Sequence, residues 1–448
     1  MAHQADVLPW QSIADHFRFV YSNQKHRGRT NLYPASKPGQ GEQLQNFARV
    51  FATLVNESVS QERERYAKDV TPPAEDEVFI QDSTARRIAK TVASYKAPDM
   101  LSTPQDTKDR TLTNEERRLS HWLSSLNKIK HEDRLYDSVH PLELRECVEL
   151  LKTLLLYGEM EPLLRLASHP DVDLRSIWTF PWQNNNYGWT DVKNCALMSY
   201  LCFNIFLAKP ELWDPVARTK RLGEMKQKYG LAYTEQMYDY RNTKGYQRML
   251  LRCTWTRRNN YDVSAHPHRD FLGIQKDMIT TPSWSQLAML RVGMGPPSSF
   301  VDARYRSWYV PTASDVSLVL SFLKTKVPTE LALQILADAD FTPKRLIPVP
   351  NDPLHVDNSV QLHTYIGYCW KVLVRVEMLL NANGSWADWE HEVTDALFEL
   401  FGVQEPRMSV VYGNDAYVKE FGRRGEGEVE GAKRKRRRFV WGEDFNGR

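Results

Sequence analysis

The stretch from residue 314 to residue 401 constrains the fold most, because its apolar side chains recur every three or four positions over three successive segments. This period places apolar side chains on one face of a helix. A proline-rich loop at 342–353 separates the first two segments, and Gly384 separates the last two. The stretch therefore predicts three amphipathic helices that form one unit, 312–402. The three predicted stripes are Leu331, Ile335, Leu336 and Ala339; Leu362, Tyr365, Ile366, Cys369, Leu373 and Val376; and Trp386, Trp389, Val393, Leu397 and Leu400.

The same period recurs through the earlier part of the chain, while strand-like alternation is confined to 304–310. Helices are predicted over 41–65, 83–95, 142–157, 160–167 and 192–208, and the N-terminal segment 10–21 also reads as amphipathic. We therefore predict a mainly α, multi-helical protein with two or three packed helical units and a disordered basic tail. The expected divisions are 1–111 (helices with linkers), 112–311 (a central helical domain with aromatic-rich loops), 312–402 and a tail at 403–448.

Composition indicates an ordinary globular protein rather than a disordered one. Hydrophobic residues make up 42% of the 448 positions, and the chain contains 13 Trp, 20 Tyr and 17 Phe. The first twenty residues lack the pattern of a secretory signal, and no apolar run has the length of a membrane span. We therefore expect an intracellular protein, in the nucleus, the cytoplasm or both, that does not insert into a membrane.

The five cysteines give no sign of a metal or redox motif. Cys147, Cys195, Cys202, Cys253 and Cys369 are scattered among apolar neighbours, and none forms a CxxC pair. This distribution is typical of reduced, buried thiols. We expect no cofactor.

A short polar segment offers a metal site as an alternative. His266, His268 and Asp270 alternate, so on an extended strand they would share a face, and Asp262 is close in sequence. Pro267 separates the histidines, and a solvated polar loop fits the segment better. A metal-dependent enzyme stays an alternative, although the chain contains no Gly-x-Ser-x-Gly elbow or other catalytic signature.

Basic and aromatic residues interleave between positions 238 and 261, which is a pattern used for binding single-stranded nucleic acid. The same pattern arises on an amphipathic helix whose arginine stems cover apolar surface. A nucleic-acid-associated nuclear regulatory factor is therefore a second alternative. Its candidate contacts are Arg248, Arg252, Trp255, Arg257 and Arg258.

Six consecutive cations near the C-terminus must be solvated or paired with an acidic partner, because they repel one another. They follow a Gly/Glu-rich segment at 422–431. We predict that they bind a nuclear import receptor and direct the protein to the nucleus. The residues are Lys433, Arg434, Lys435, Arg436, Arg437 and Arg438.

The segment Val327-Pro-Thr-Glu-Leu-Ala-Leu-Gln-Ile-Leu336 resembles the start of an F-box, which opens Leu-Pro-x-Glu-Leu and continues to an Ile-Leu pair. The resemblance implies that Pro328, Leu331, Ile335 and Leu336 contact the small adaptor subunit of a cullin ubiquitin ligase. Further along, 352–355 (Asp-Pro-Leu-His) and 368–375 (Tyr-Cys-Trp-Lys-Val-Leu-Val-Arg) resemble a segment of uncharacterised proteins from filamentous fungi.

These observations favour a non-enzymatic protein-interaction or adaptor protein, with ubiquitin ligase machinery as one implied connection. Its helical surfaces would bind protein partners. No residue is assigned a catalytic, cofactor-binding or metal-binding role.

Overall fold

The computed structural model describes residues 8–20, 31–34, 41–96, 111–131, 142–179, 181–182, 185–186, 188–229, 239–254, 263–273, 313–338, 347–349 and 352–402. Of these residues 72% are helical, which confirms the mainly α prediction. The predicted tail and the predicted strand at 304–310 lie outside the described residues.

The described chain forms fourteen α-helices and two short antiparallel strand pairs. The helices are α1 (Trp10–Ala14), α2 (Gly41–Arg63), α3 (Asp82–Lys96), α4 (Leu119–His131), α5 (Leu142–Tyr157), α6 (Met160–Ala167), α7 (Thr190–Leu207), α8 (Pro215–Tyr229), α9 (Lys244–Thr254), α10 (His266–Leu272), α11 (Ala313–Lys324), α12 (Thr329–Asp338), α13 (Ser359–Ala382) and α14 (Trp389–Phe401). The strands are β1 (Phe17–Val20) with β2 (Asn31–Pro34), and β3 (Pro181–Trp182) with β4 (Asn185–Asn186).

Local signals in the sequence set several helix ends. Gly158 adopts a φ of 76° directly after α5 and ends it, because a left-handed residue suits the position after a helix. At the turn ahead of α4, Thr113 and Glu116 form a capping box, in which each side chain accepts a hydrogen bond from the other residue's backbone N–H. The Asp388 carboxylate accepts from the His391 N–H and caps α14.

The amphipathic N-terminal segment 10–21 contains both a helix and a strand. Only Trp10–Ala14 is helical, and the chain then pairs as β1 with β2. The alternation of buried Phe17 with exposed Arg18 marks the strand, but four residues are too few for a period-2 pattern to stand out from a helical one.

One hydrophobic core joins distant parts of the chain. Helix α13 packs most extensively on α7 and also on α2, and α14 packs on α2, α7 and α9. An aromatic cluster lies where these helices meet; it comprises Trp10, Phe47, Phe51, Tyr200, Trp370 and Trp389. Helices α13 and α14 are therefore central elements of the main core.

The unit predicted for 312–402 is not built as expected. Its last two helices face α7 and α2, while its first part, α11 and α12, packs as a pair. The sequence stripe on α13 correctly predicted a buried face, but periodicity does not reveal which helix covers that face. We correct the prediction of a three-helix unit accordingly.

Buried polar groups hold the N-terminal, middle and C-terminal parts together. The Asn31 amide donates to the Leu400 carbonyl and accepts from the Gly245 N–H, at 3.2 and 2.9 Å. A Cβ at Gly245 would lie 2.7 Å from the Phe401 ring, so glycine permits this close approach of α9 and α14. The Lys193 ammonium pairs with Glu392 at 2.5 Å, which ties α7 to α14.

Candidate protein-interaction site

Helices α11 and α12 form a hairpin whose turn is set by local hydrogen bonds. The Lys326 and Val327 N–H groups donate to the Leu323 carbonyl at 2.8 and 2.9 Å, which closes α11. Pro328 follows and has no N–H to leave unpaired, and its carbonyl accepts from the Ala332 N–H at 3.0 Å as α12 begins. Among the described helices and strands, α11 and α12 pack extensively only against each other.

The hairpin exposes an unusual amount of apolar surface. Of the eleven large hydrophobic side chains that are exposed in the described part of the chain, six lie between 313 and 338. Phe322 is 64% exposed and Leu318 is 69% exposed. We call these six residues the hairpin surface: Leu318, Val319, Phe322, Leu331, Leu333 and Ile335.

The inward face of the hairpin is small. Ala332 and Leu336 are buried, at 0% and 4% exposure, and neither belongs to the main hydrophobic core. The spacing explains this division, because residues 331 and 335 share one face of α12 and residues 332 and 336 share the next. We predicted one face for Leu331, Ile335 and Leu336, whereas the structure leaves the first two exposed and buries Leu336.

The F-box-like residues are therefore divided between two roles. Pro328, Leu331 and Ile335 are exposed and accessible to a partner, whereas Leu336 lies inside the hairpin. The adaptor contacts of these residues stay a prediction, and in this structure Leu336 packs inside the hairpin.

Sequence reasoning missed Leu318, Val319, Phe322 and Leu333. The signal was present in residues 316–323, which read Val-Ser-Leu-Val-Leu-Ser-Phe-Leu. Apolar residues here occupy more than one side of the helix, and a helix that is apolar around most of its circumference needs more cover than one neighbour provides.

A second constellation, which the sequence did not reveal, lies deep in the main core. The Tyr365 hydroxyl donates to Ser199 Oγ at 2.9 Å, and His268 Nδ1 lies 2.5 Å from the same hydroxyl. Ser199 Oγ donates to Cys253 Sγ at 3.2 Å, and that thiol donates to the Cys195 carbonyl at 3.3 Å. If His268 Nδ1 carries the proton, each group along this chain donates to the next.

A serine hydroxyl, a thiol and an imidazole are the kinds of group that serve as nucleophile and general base in enzymes. In this structure they are buried, so a substrate cannot reach them. Ser199, His268 and Tyr365 are 0%, 1% and 5% exposed. Burial also raises the pKa of the Tyr365 phenol and of the Cys369 thiol beside it, so both groups stay neutral. A buried, fully connected polar chain of this kind fixes the packing of α7, α9, α10 and α13.

The metal alternative is not supported by the geometry. His266, His268 and Asp270 lie on helix α10, not on a strand or a loop, so His268 points away from the face that His266 and Asp270 share. Within the described residues no three His, Cys, Asp or Glu side chains are grouped so that they could hold a metal ion. Asp262 lies outside the described residues.

The cysteines are free and buried, as predicted from their apolar neighbours. Burial raises the pKa of Cys147 to about 12, and the other effects on this thiol are smaller. A neutral thiol is a poor nucleophile, so Cys147 has the properties of an apolar side chain packed in the core.

A protein-family model described as "Gramillins biosynthetic cluster protein GRA5" matches residues 11–410. The chain belongs to this family. The family is a fungal one, which agrees with the resemblance of 352–355 and 368–375 to fungal proteins, whereas the F-box likeness stays a prediction. No curated protein and no solved structure matches the chain.

Other features of this family member bear on the remaining predicted sites. The Arg248 guanidinium donates to the Glu399 carbonyl at 2.7 Å, and Arg252 pairs with Asp191 at 3.1 Å, so both arginines have partners within the protein. Trp255, Arg257 and Arg258 lie outside the described residues, as do the cations 433–438. Across the described part of the chain, no helix combines the length and the apolar character needed to cross a bilayer.

Proposed function

We propose that this member of the family is a non-enzymatic protein-interaction protein that binds another protein through the hairpin surface. The observation that carries the proposal is the concentration of exposed apolar side chains in 313–338. Exposed apolar side chains concentrated in one element are unfavourable in water, and such concentrations mark interaction sites in proteins.

The chemistry of the surface defines the kind of partner. Residues 316–323 and 331–336 contain no charged side chain. Such a surface fits the apolar face of a protein helix, and it lacks the cations that a nucleic acid would require. The family description names a biosynthetic cluster, and we infer that the complex formed here serves such a cluster.

Phe322 should contribute most to binding. Burying a large apolar side chain completely contributes about 1.5–3 kcal/mol, and Phe322 still has 64% of its surface to bury. A carboxylate at this position would instead have to be desolvated in the interface. We therefore expect Phe322→Glu to weaken binding by at least about tenfold, which corresponds to about 1.4 kcal/mol.

The test is affinity capture with the tagged full-length chain from nuclease-treated extract, followed by binding measurements with the purified partner. Val216→Glu is the matched control, because Val216 is 78% exposed on α8, outside the hairpin. Phe322→Glu should lose the partner while Val216→Glu retains it. Equal binding by wild type and Phe322→Glu would contradict the proposal.

A narrower form of the proposal connects the hairpin to ubiquitin ligases. It is favoured by the exposure of Leu331 and Ile335, at 50% and 45%, within the F-box-like segment. Calorimetry with a purified cullin-ligase adaptor subunit tests it, with Leu331→Glu as the variant expected to abolish binding. Absence of binding by the wild-type chain would remove this form and leave the broader one intact.

We also propose that the cations 433–438 direct the protein to the nucleus, because an acidic groove of an import receptor suits six consecutive cations. Deleting 422–448 should shift a fluorescently tagged protein from the nucleus to the cytoplasm. An unchanged distribution would show that these residues have no role in targeting.

A further inference from the structure

We propose that Cys195 and Cys253 form a peroxide-sensitive thiol pair, in which oxidation joins the two sulfurs as a disulfide that links α7 to α9. The two cysteines lie 58 positions apart in the chain, so their spacing in the sequence did not reveal the pair. The inference concerns the main core and not the hairpin surface, and it does not depend on the proposed function.

Hydrogen bonds place each of these thiols against the backbone of the other cysteine. The Cys253 thiol donates to the Cys195 carbonyl at 3.3 Å, and the Cys195 thiol donates to the carbonyl of the preceding Arg252 at 3.6 Å. The two thiols also lie within hydrogen-bonding reach of each other. A disulfide forms only between cysteines whose backbones are already close, and this reciprocal bonding meets that requirement.

Two other buried thiols of the same core region are rival partners for Cys253. Cys202 and Cys369 both lie near enough to Cys253 to interact with it electrostatically. The Cys369 thiol, however, is hydrogen-bonded with Tyr365. Cys195 is therefore the cysteine that the hydrogen bonds pair with Cys253.

Cys195 is the member of the pair that an oxidant meets first. It is 4% exposed, whereas Cys253 is 0% exposed. It lies one turn along α7 from Asp191, whose carboxylate pairs with the Arg252 guanidinium at 3.1 Å, and 42% of that arginine side chain is exposed. A molecule as small as hydrogen peroxide needs only a local displacement of this ion pair to contact Cys195.

The oxidation balances with hydrogen peroxide as the oxidant. The Cys195 thiol gives its proton to water, and its sulfur attacks one peroxide oxygen, so that an S–O bond forms, the O–O bond breaks and the leaving hydroxide becomes water. The Cys253 sulfur, after losing its own proton, attacks the Cys195 sulfenic acid; the S–S bond forms and the second hydroxide leaves as water. The two thiols together lose the two electrons that the peroxide gains.

This reaction should be slow, because only a thiolate attacks peroxide efficiently. A hydrogen bond with the Cys253 thiol, together with burial, raises the pKa of the Cys195 thiol. The pair therefore responds to sustained rather than brief exposure to peroxide.

Peptide mapping of the full-length wild-type protein tests the inference. The folded, reduced chain is incubated with hydrogen peroxide for hours, its remaining thiols are blocked in denaturant, and the digest is analysed by mass spectrometry. Free thiols should fall from five to three, with one linked peptide pair that contains Cys195 and Cys253, and dithiothreitol should reverse the change. Five unreacted thiols, oxidation without a link, or linkage of Cys253 to Cys202 or Cys369 would overturn the inference.

Two alanine variants show which thiols the link requires. Cys253→Ala should abolish it, whereas Cys147→Ala, which removes a buried thiol of α5, should retain it and lose two of its four thiols. Linked peptides of Cys195 in the Cys253→Ala protein would contradict the pairing. If a variant fails to fold, the wild-type peptide map decides the inference.

Urea unfolding measures whether the disulfide constrains α7 and α9. A cross-link between residues 58 positions apart restricts the unfolded chain, so the oxidised wild type should unfold at a higher urea concentration than the reduced protein. Cys253→Ala treated in the same way should show no increase. An unchanged or lower midpoint in fully linked wild-type protein would show that the disulfide does not hold the two helices together.

Discussion

The Tyr365 hydroxyl connects residues from three separate helices. It lies between His268 Nδ1 of α10 and Ser199 Oγ of α7, at 2.5 and 2.9 Å, and both neighbours are buried. A buried polar group that loses its partner costs more than the hydrogen bond itself contributes. The arrangement therefore stabilises one packing of these helices and needs no catalytic explanation.

Replacing Tyr365 by Phe should destabilise the fold by about 1–3 kcal/mol, because it removes a buried hydroxyl that donates to Ser199 and lies against His268. Tyr368→Phe is the control on the same helix, since its hydroxyl makes only a 3.4 Å hydrogen bond to the Leu156 carbonyl. The free energy of unfolding in urea measures both. Equal losses for the two variants would contradict the role given to Tyr365.

Glu77 makes a pH-dependent contribution to the stability of the fold, and its ion pair with Arg165 sets the sign of that contribution. Hydrogen bonds from the Arg165 guanidinium at 2.6 and 2.9 Å lower the pKa of this carboxyl below its usual value. A carboxyl whose pKa is lower in the folded state than in the unfolded state stabilises the fold at pH values above its unfolded-state pKa. That stabilisation is lost as the pH falls through the folded-state pKa.

Glu77→Gln should therefore cost up to about 1 kcal/mol at pH 7, a small value because the pair is partly solvated. The difference from wild type should shrink as the pH falls below about 4. Urea unfolding of wild type and variant at pH 7 and at a pH below about 4 measures the difference in the free energy of unfolding. Asp76→Asn, at an exposed neighbouring position, is the control. A difference that stays constant with pH would show that the ion pair is not its source.

Helix boundaries show how local and tertiary effects combine at one element. Gly158 ends α5 at a φ of 76°, and a Cβ there would lie 2.6 Å from the Arg375 guanidinium. That guanidinium donates to the Leu155 and Leu156 carbonyls at the end of α5, so it cannot move without losing those bonds. Gly384 has a similar φ of 69°, but a Cβ there would meet nothing within 4 Å.

Gly158→Ala should therefore destabilise the protein more than Gly384→Ala does. Backbone strain alone costs roughly 1–2 kcal/mol at either site, and displacement of Arg375 adds to it only at Gly158. Thermal and urea unfolding of the two variants give the comparison. Equal destabilisation would indicate that Arg375 relocates freely.

Across the residues that the structure describes, one main core joins distant parts of the chain, and its last helices pack on the middle ones. Helix α13 buries residues against α7 and α2 along most of its 24 residues. Because those partners lie far away in sequence, the C-terminal helices depend on the rest of the chain for their buried surface. The hairpin α11–α12 is the exception, since its own buried residues lie outside this core.

An isolated fragment 312–402 should therefore fail to fold, although its sequence contains long amphipathic helices. Without α2 and α7 it would expose the buried faces of α13 and α14, and circular dichroism should show a non-cooperative thermal transition. The full-length protein serves as the control with a cooperative one. Cooperative unfolding of the fragment would restore the independent unit that the periodicity suggested.

The sequence by itself determined the helical class and most helix positions, because period and capping act over a few residues. Helix α5 was predicted at its observed bounds, and Gly384 separates α13 from α14 as the local pattern indicated. Only the tertiary structure decided which faces are covered. Periodicity on α13 and on α12 looks alike, yet α13 is buried under α7 whereas Leu331 and Ile335 stay exposed. The physical reason is that an apolar stripe shows only that a helix face is unfavourable in water. Contacts between residues far apart in the chain determine which neighbouring helix buries that face.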